Sequence, residues 1–268
     1  MILIFDTFGG LCNQFYDIYC GINFCIINNI KFSFRYCSFR DNTLINWYNE
    51  PFDKLFDMSF LEKYKHLYVN YDILNLTNEN TFNFNSAVAY TIFTDNFLIE
   101  IMNIDKEYII LKQFWAVYKF KEIKDNVHIQ PSARIMDIYN TIKSKIFNTN
   151  EQYNFIHYRY EHDFTNYFNV EIENLKSLIL KLKSTFKNPN LKIYIATSNI
   201  KQLIDLNDVD LCNIVLTKNE DELTNYNFEE LAFIDYMFGL NSNEIFGHSK
   251  SSFSHAINHS KNTSNYYA

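Results

Sequence analysis

Apolar runs of strand length alternate with amphipathic helical segments along much of this chain. Residues 2–5 form a short apolar run, and the segment after the following glycine pair has apolar residues at helical spacing as far as Asn28. Residues 31–37 then alternate apolar and polar positions, as a second strand does. A strand, a helix and a strand in this order need a crossover connection, so the opening predicts two parallel strands.

The second half of the chain repeats this alternation. Strand-like segments occur at residues 152–160, 190–199 and 244–249, and helical segments occur at residues 169–186, 227–241 and 250–260, the last after a short loop. Such alternation is typical of a doubly wound parallel sheet, in which ligands lie beyond the carboxyl ends of the strands. We therefore predict an α/β chain with two Rossmann-like lobes and a cleft between them.

The predicted lobes are residues 1–126 and 127–268. The second lobe is expected to begin near a helix at residues 133–147, which follows a Pro-Ser turn. The end of the first lobe gives mixed signals: residues 51–64 indicate short helices, residues 65–74 a strand, and residues 94–120 a helical stretch with uncertain breaks. None of these segments contains a motif that identifies an acceptor.

Composition and charge exclude several classes of protein. Of the 268 residues, 47% are hydrophobic and 18% are aromatic, which excludes a disordered chain. The net charge of −7 is spread without a basic block, which argues against nucleic-acid partners and anionic membrane surfaces. The apolar opening is short and has no basic segment before it, so we expect a cytoplasmic protein without a membrane span. Five cysteines without a C-x-x-C pair indicate reduced, buried thiols.

Charged residues are concentrated at the end of the strand-like segment in "FIHYRYEHDF". Arg159, Glu161 and Asp163 alternate with other residues, so in an extended chain their side chains share one face. One interpretation is a solvated strand terminus with a local ion pair. The other is that Arg159 binds a phosphate through its planar guanidinium while a neighbouring carboxylate orients it.

Three motifs in order resemble those of the protein O-fucosyltransferase superfamily. They are "GGLCNQ" at residues 9–14, "HYRYEHD" at residues 157–163 and "IDYMFGLNSNEIFGHSKSSFS" at residues 234–254, with "IYIATSN" as a supporting strand between the last two. The resemblance includes the plant O-fucosyltransferase-like and rhamnosyltransferase branches and, more loosely, the α-1,2 and α-1,6 fucosyltransferases. It implies a GT-B-like, inverting glycosyltransferase that takes fucose from GDP-fucose and needs no metal or other cofactor.

The resemblance also assigns roles to residues in the second lobe. Arg159 of the H-x-R motif would hold the diphosphate, with His157 beside it. Asp235 matches the aspartate that begins the family's last helix, and two adjacent N–H donors on guanine would suit its carboxylate. The Ser-Ser-Phe sequence matches the family's nucleotide contacts, which places Ser251, Ser252 and Phe253 in the donor site.

In the first lobe, the resemblance assigns the glycine loop to the donor site as well. Its members Gly9, Gly10, Asn13 and Gln14 would face the cleft, where the amides can hydrogen-bond sugar or acceptor hydroxyls. Cys12 stands where many members have glycine, so the backbone of the loop can differ locally.

The chemistry leaves the general base open. A carboxylate near the acceptor hydroxyl must be ionised and within hydrogen-bond reach, and Glu161, Asp163 and Asp17 qualify by type. We favour Glu161 because it shares a face with Arg159, although some members of the superfamily lack an obvious base. The histidines lack the spacing of zinc ligands, so no metal site is predicted.

Alternative functions remain open at this point. The same fold can use UDP-rhamnose or another nucleotide-deoxysugar, since the resembled branches contain both donors. A different class is a non-catalytic glycan-binding, nucleotide-binding or structural protein. The expected partners are a nucleotide-sugar donor and a glycan or protein acceptor whose identity the sequence does not give.

Overall fold

A computed structural model describes residues 1–41, 46–84, 97–112, 127–159, 169, 171, 173–197 and 215–267. The chain divides into two compact units, Met1–Met136 and Asp137–Ala268. The sequence-based limit after residue 126 lies earlier in the chain than this division, which falls inside a helix, Ala133–Ile146.

Among the described residues, the first unit contains a five-stranded sheet. Its strands are β1 (Ile2–Asp6), β2 (Lys31–Arg40), β3 (Trp47–Pro51), β4 (Thr81–Phe84) and β5 (Tyr108–Lys112). The strand order is β3-β2-β1-β5-β4, and every pairing is parallel except that of β3 with β2. The predicted parallel pair at the opening is therefore confirmed.

Helix α1 (Leu11–Asn28) connects β1 to β2. It ends at Asn29, whose φ of 51° is left-handed, and the N–H of Ile30 donates to the carbonyl of Cys25. This pattern satisfies carbonyls that would otherwise lack partners at the helix end. Gly21 of α1 lies against the ring of Phe5, so the helix packs closely on β1.

Two predictions for the rest of this unit need correction. The predicted short helices are confirmed as 3₁₀ turns at Phe52–Lys54 and Met58–Tyr64, but residues 65–74 do not form the predicted strand. They make an isolated bridge at Tyr68 and then a 3₁₀ turn at Tyr71–Ile73, because this segment covers the sheet with Tyr71 and Leu74 instead of extending it.

The predicted helical stretch at residues 94–120 is also different within its described part. It contains a short helix, α2 (Phe97–Met102), and then the buried strand β5. Every residue of β5 is buried except Lys112, so its apolar run has no alternation that would distinguish it from a buried helix.

The second unit has a second five-stranded sheet among its described residues. Its elements are α3 (Ala133–Ile146), β6 (Tyr153–His157), α4 (Leu175–Lys183), β7 (Lys192–Ala196), β8 (Val215–Leu216), α5 (Glu220–Asn225), α6 (Phe228–Asn241), β9 (Ile245–His248), α7 (Ser252–Ser260) and β10 (Tyr266–Tyr267). The order is β10-β9-β6-β7-β8, with parallel pairings throughout.

Helices cover both faces of this second sheet. On one face, Leu178 and Leu182 of α4 belong to the same buried cluster as Ile156 of β6. On the other face, the ring of Phe238 in α6 lies 4.4 Å from that of Tyr194 in β7. The predicted α/β architecture is confirmed, and the carboxyl ends of β6 and β9 lie side by side.

Candidate functional site

Arg159 lies two residues beyond the end of β6, and its backbone is held by β10, which is separated from β6 by β9. The hydroxyl of Tyr267 in β10 donates to the carbonyl of His157 at 2.7 Å and accepts the N–H of Arg159 at 3.4 Å. The Nε atom of Arg159 is buried while the residue as a whole is partly exposed. The chain therefore leaves β6 in a fixed direction with the guanidinium at the carboxyl edge of the sheet.

His157, the last residue of β6, is buried beside this arginine. Its Nδ1 shares a 2.8 Å hydrogen bond with the hydroxyl of Ser254, and its ring lies 4.6 Å from that of Phe253. Burial lowers the pKa of His157 well below its ordinary value, and the charges of Arg159 and Lys218 lower it further. The imidazole is therefore neutral at pH 7.

His248 occupies the equivalent position at the end of β9. Its Nδ1 accepts the backbone N–H of Lys250 at 3.1 Å. Burial lowers the pKa of His248, and the charges of Lys250 and Arg159 act in the same direction. His248 and Lys250 were not among the predicted site residues. Their place in the site could have been predicted, because the residues that follow adjacent parallel strands meet at one edge of a sheet.

The predicted Ser-Ser-Phe contacts lie at the amino terminus of α7, next to these histidines. Ser251 is the N-cap and makes no side-chain capping bond, while its own N–H donates to the carbonyl of His248 at 3.1 Å. Ser252 is exposed and Phe253 is partly exposed. The N–H groups of a first helical turn and the helix dipole favour an anion. The structure thus brings Arg159, His157 and the start of α7 together.

Asp235 lies in different surroundings from those predicted. It is in the middle of α6, neither at the start of a helix nor on the last one, and it is buried. Its Oδ1 accepts the hydroxyl of Tyr194 at 2.7 Å and forms an ion pair with the buried Lys218. A buried ammonium needs such a counter-ion, so this carboxylate oxygen is already used within the unit.

The glycine loop of the first unit is held by Gln14, which is completely buried. Its Oε1 accepts the Thr7 hydroxyl at 2.8 Å and the Ser38 N–H at 3.0 Å. Its Nε2 donates to the carbonyls of Gly9 at 3.0 Å and Ser38 at 2.8 Å. Both donors and both acceptor positions of the amide are used, so Gln14 positions the loop, in contrast to its expected contact with a sugar.

The other loop residues differ in accessibility. Gly9 has a φ of 92°, a left-handed conformation that favours glycine, and the side chain of Asn13 lies over it. Gly10 and Asn13 are partly exposed. Asp17, one of the three candidate bases, is only 1% exposed and accepts the N–H of Phe8 at 2.8 Å, so it too stabilises the loop.

The remaining predicted residues, Glu161 and Asp163, lie outside the described residues. Within the described part of the chain, no three His, Cys, Asp or Glu side chains are grouped so that they can hold a metal ion. Over the same residues, every helix is too short or too polar to cross a bilayer.

No protein-family model and no curated protein matches this sequence. Solved structures do match. POFUT1 in complex with GDP-fucose has a TM-score of 0.67 and 10% identity, over 100% of this chain and 97% of that one. Fucosyltransferase NodZ from Bradyrhizobium has a TM-score of 0.57 and 10% identity, over 95% and 91%. NodZ α-1,6-fucosyltransferase soaked with GDP-fucose has a TM-score of 0.53 and 9% identity, over 95% and 91%. The chain therefore has the fold of the GT-B fucosyltransferases.

Proposed function

We propose that the protein is an inverting glycosyltransferase that moves fucose from GDP-fucose to a hydroxyl of a glycan or protein. The observation that carries this proposal is the position of Arg159, at the carboxyl end of β6, where its charge acts on two histidines and the start of α7 is close to His157. The fold supports it, since one POFUT1 structure with this fold is a complex with GDP-fucose and one NodZ structure with this fold was soaked with GDP-fucose.

Arg159 supplies the charge that this reaction needs. Breaking the bond between fucose and phosphate builds negative charge on the departing GDP, and a cation already aimed at the phosphates stabilises the transition state. A guanidinium binds two phosphate oxygens at once. The first N–H groups of α7 add donors without a charge of their own. With these groups present, we propose that the reaction needs no divalent metal.

We propose that Glu161, or failing it Asp163, is the general base. Inversion requires the acceptor hydroxyl to attack the face of the sugar opposite the diphosphate, so the base must act from that side. Gly9, Gly10 and Asn13 of the first unit are proposed to contact hydroxyls of the sugar or the acceptor. Gln14 and Asp17 are proposed to hold that loop, because their hydrogen bonds lie within it.

Nucleotide titration tests the donor. We expect GDP to raise the thermal stability of the protein, and GDP at 100 times its Kd should add about 2.7 kcal/mol to the free energy of unfolding. UDP at the same concentration should add much less. The Arg159→Ala protein should lose the GDP response, while Arg134→Ala, which removes an exposed arginine of α3, should keep it. A protein that responds to no nucleotide would indicate a structural or glycan-binding function.

A second candidate donor is UDP-rhamnose or another UDP-deoxysugar. This donor remains a candidate because Asp235, the residue expected to select guanine, is already paired with Lys218 and Tyr194. A larger stabilisation by UDP than by GDP would favour this donor and leave the assignment of Arg159 unchanged.

A further inference from the structure

Two aromatic rings and two cations lie together at the carboxyl edge of the first sheet. The side chain of Lys112 places its Nζ 4.3 Å from the centre of the Phe8 ring. The ring of Phe8 lies 5.2 Å from that of Trp47, and the guanidinium carbon of Arg40 lies 5.2 Å from the Trp47 ring. We refer to Phe8, Arg40, Trp47 and Lys112 as the aromatic–cation cluster.

The strand register explains why these residues meet. Arg40 and Trp47 are direct partners in the antiparallel pairing of β2 with β3, so their side chains share one face. Lys112 ends β5 and is the register partner of Asp6, two residues before Phe8. The cluster therefore spans the ends of four neighbouring strands at the edge where open α/β sheets bind ligands.

The glycine loop lies directly beside the cluster. A Cβ atom placed on Gly10 would lie 3.7 Å from the Nη2 atom of Arg40. A ligand that contacts the exposed part of this loop thus also reaches the cluster. Phe8, Trp47 and Arg40 are partly exposed and Lys112 is exposed, so their surfaces are accessible in this unit.

The chemistry of the cluster suits a sugar that carries a negative charge. The faces of Phe8 and Trp47 attract the partly positive C–H groups of a sugar ring, as aromatic faces attract ring edges. Arg40 and Lys112, each held over a ring, can form charge-assisted hydrogen bonds to a carboxylate or phosphate. Asp6, the nearby carboxylate at the end of β1, is buried and paired with Arg35.

We propose that the aromatic–cation cluster is an acceptor subsite and that the acceptor is an acidic saccharide. The proposal rests on the transferase function for the role of acceptor, but the binding itself can be tested without a nucleotide. The shared chemistry is an anionic group on a sugar, which a hexuronate or a sugar phosphate can supply.

Tryptophan fluorescence offers a direct test, because the chain has two tryptophans and Trp115→Phe leaves Trp47 as the reporter. In that background we would titrate tetragalacturonate, a phosphorylated tetrasaccharide and neutral maltotetraose. We expect at least one acidic probe to change the emission and to bind at least about tenfold more tightly than maltotetraose. The acidic probe that binds more tightly shows whether the anionic group on the sugar is a carboxylate or a phosphate. Binding should weaken as salt is added.

Matched variants locate the binding. Lys112→Gln and Arg40→Gln should each weaken the acidic probe about tenfold, whereas Lys63→Gln, which removes a cation held 5.5 Å over Tyr64, should not. Lys112→Glu repeats the test by reversing an exposed charge. Equal binding of the neutral probe, unchanged affinity in both Lys112 variants, or no binding by any probe would overturn the proposal. Since no nucleotide is present, a failed GDP titration would leave this result intact.

Discussion

At the level of single residues, the second unit places two uncharged imidazoles near the guanidinium of Arg159. Burial together with the charge of Arg159 lowers the pKa of both His157 and His248. The histidines therefore add hydrogen-bonding atoms to the site without adding charge that would compete for the phosphates. This arrangement makes the guanidinium the group whose removal matters most.

Arg159→Ala should lower turnover of GDP-fucose about 10²- to 10³-fold, the usual cost of removing one preorganised donor to developing negative charge. Release of GDP from GDP-fucose, with and without an acceptor, is the measurement. Arg159→Lys should recover only part of the rate, because an ammonium cannot bind two oxygens in one plane. Activity of Arg159→Ala within tenfold of the unmodified protein would contradict the assignment.

His157 should make the stability of the protein depend on pH below its ordinary pKa. Its pKa is lower in the folded protein than in the unfolded chain, so below about pH 6.5 the unfolded chain binds more protons. Stability should therefore fall as the pH decreases, by up to about 1.4 kcal/mol per pH unit from this residue.

Urea unfolding between pH 6.5 and 5 measures this effect. His157→Gln keeps a hydrogen-bonding side chain without a titrating group, so its stability should fall less steeply with decreasing pH. His66→Gln, at an exposed position, is the control and should keep the slope of the unmodified protein. Equal slopes for His157→Gln and the unmodified protein would show that His157 does not titrate in this way.

Predictability at this scale depends on where a residue's partners lie. The motif spacing placed Arg159 and the Ser-Ser-Phe segment at a strand end and a helix start, which are local features. The roles of Gln14 and Asp235 were not predictable, because they depend on Ser38 and Lys218, which are distant in sequence. The positions of these partners are fixed only when the sheets form.

At the level of elements, the site depends on close packing of α7 against β9. A Cβ atom on Gly247 of β9 would overlap the Oγ and Cβ atoms of Ser254 in α7. Ser254 is also the partner of His157. The glycine thus allows the helix to approach the sheet closely enough for its first turn to lie beside Arg159.

Gly247→Ala should displace α7, destabilise the protein by about 1–3 kcal/mol and weaken GDP binding. Ser254→Gly removes the overlapping atoms, so adding it to Gly247→Ala should recover part of the stability even though the bond to His157 is lost. Urea unfolding of both single variants and the double variant measures this coupling. Additive losses in the double variant would show that the two residues do not press on one another.

Some helices and strands were easier to predict from the sequence than others. β6, β7, α6 and β9 were predicted because each is a regular apolar pattern between polar breaks. The strand β5 was missed because burial on both faces removes the alternation that marks a strand. The segment at residues 65–74 has strand-like composition, yet its residues cover the sheet, and tertiary packing determines that outcome.

At the level of the whole molecule, the two units share one structural feature, a buried side-chain amide that ties a helix to neighbouring chain. In each, a buried amide with both donors and both acceptor positions used ties a helix to neighbouring chain: Gln14 of α1 in the first unit and Asn258 of α7 in the second. Gln14 thereby fixes the glycine loop at the carboxyl edge of the first sheet, whereas Asn258, near the end of α7, fixes the turn that leads into β10. The alternation of elements predicted this plan, but not the amides that stabilise it.

This plan predicts that two ligands protect two different units from hydrogen exchange. GDP at 100 times its Kd should slow exchange by up to about 100-fold at the end of β6 and at the β9–α7 junction, because opening must first release the ligand. The acidic saccharide should instead protect the glycine loop and the end of β2. Mass spectrometry of the intact chain with each ligand alone measures both effects, and ADP is the control for the nucleotide. Protection by GDP confined to the first unit would contradict the assignment of the donor to the second, since Arg159 and α7 would then lie away from the phosphates.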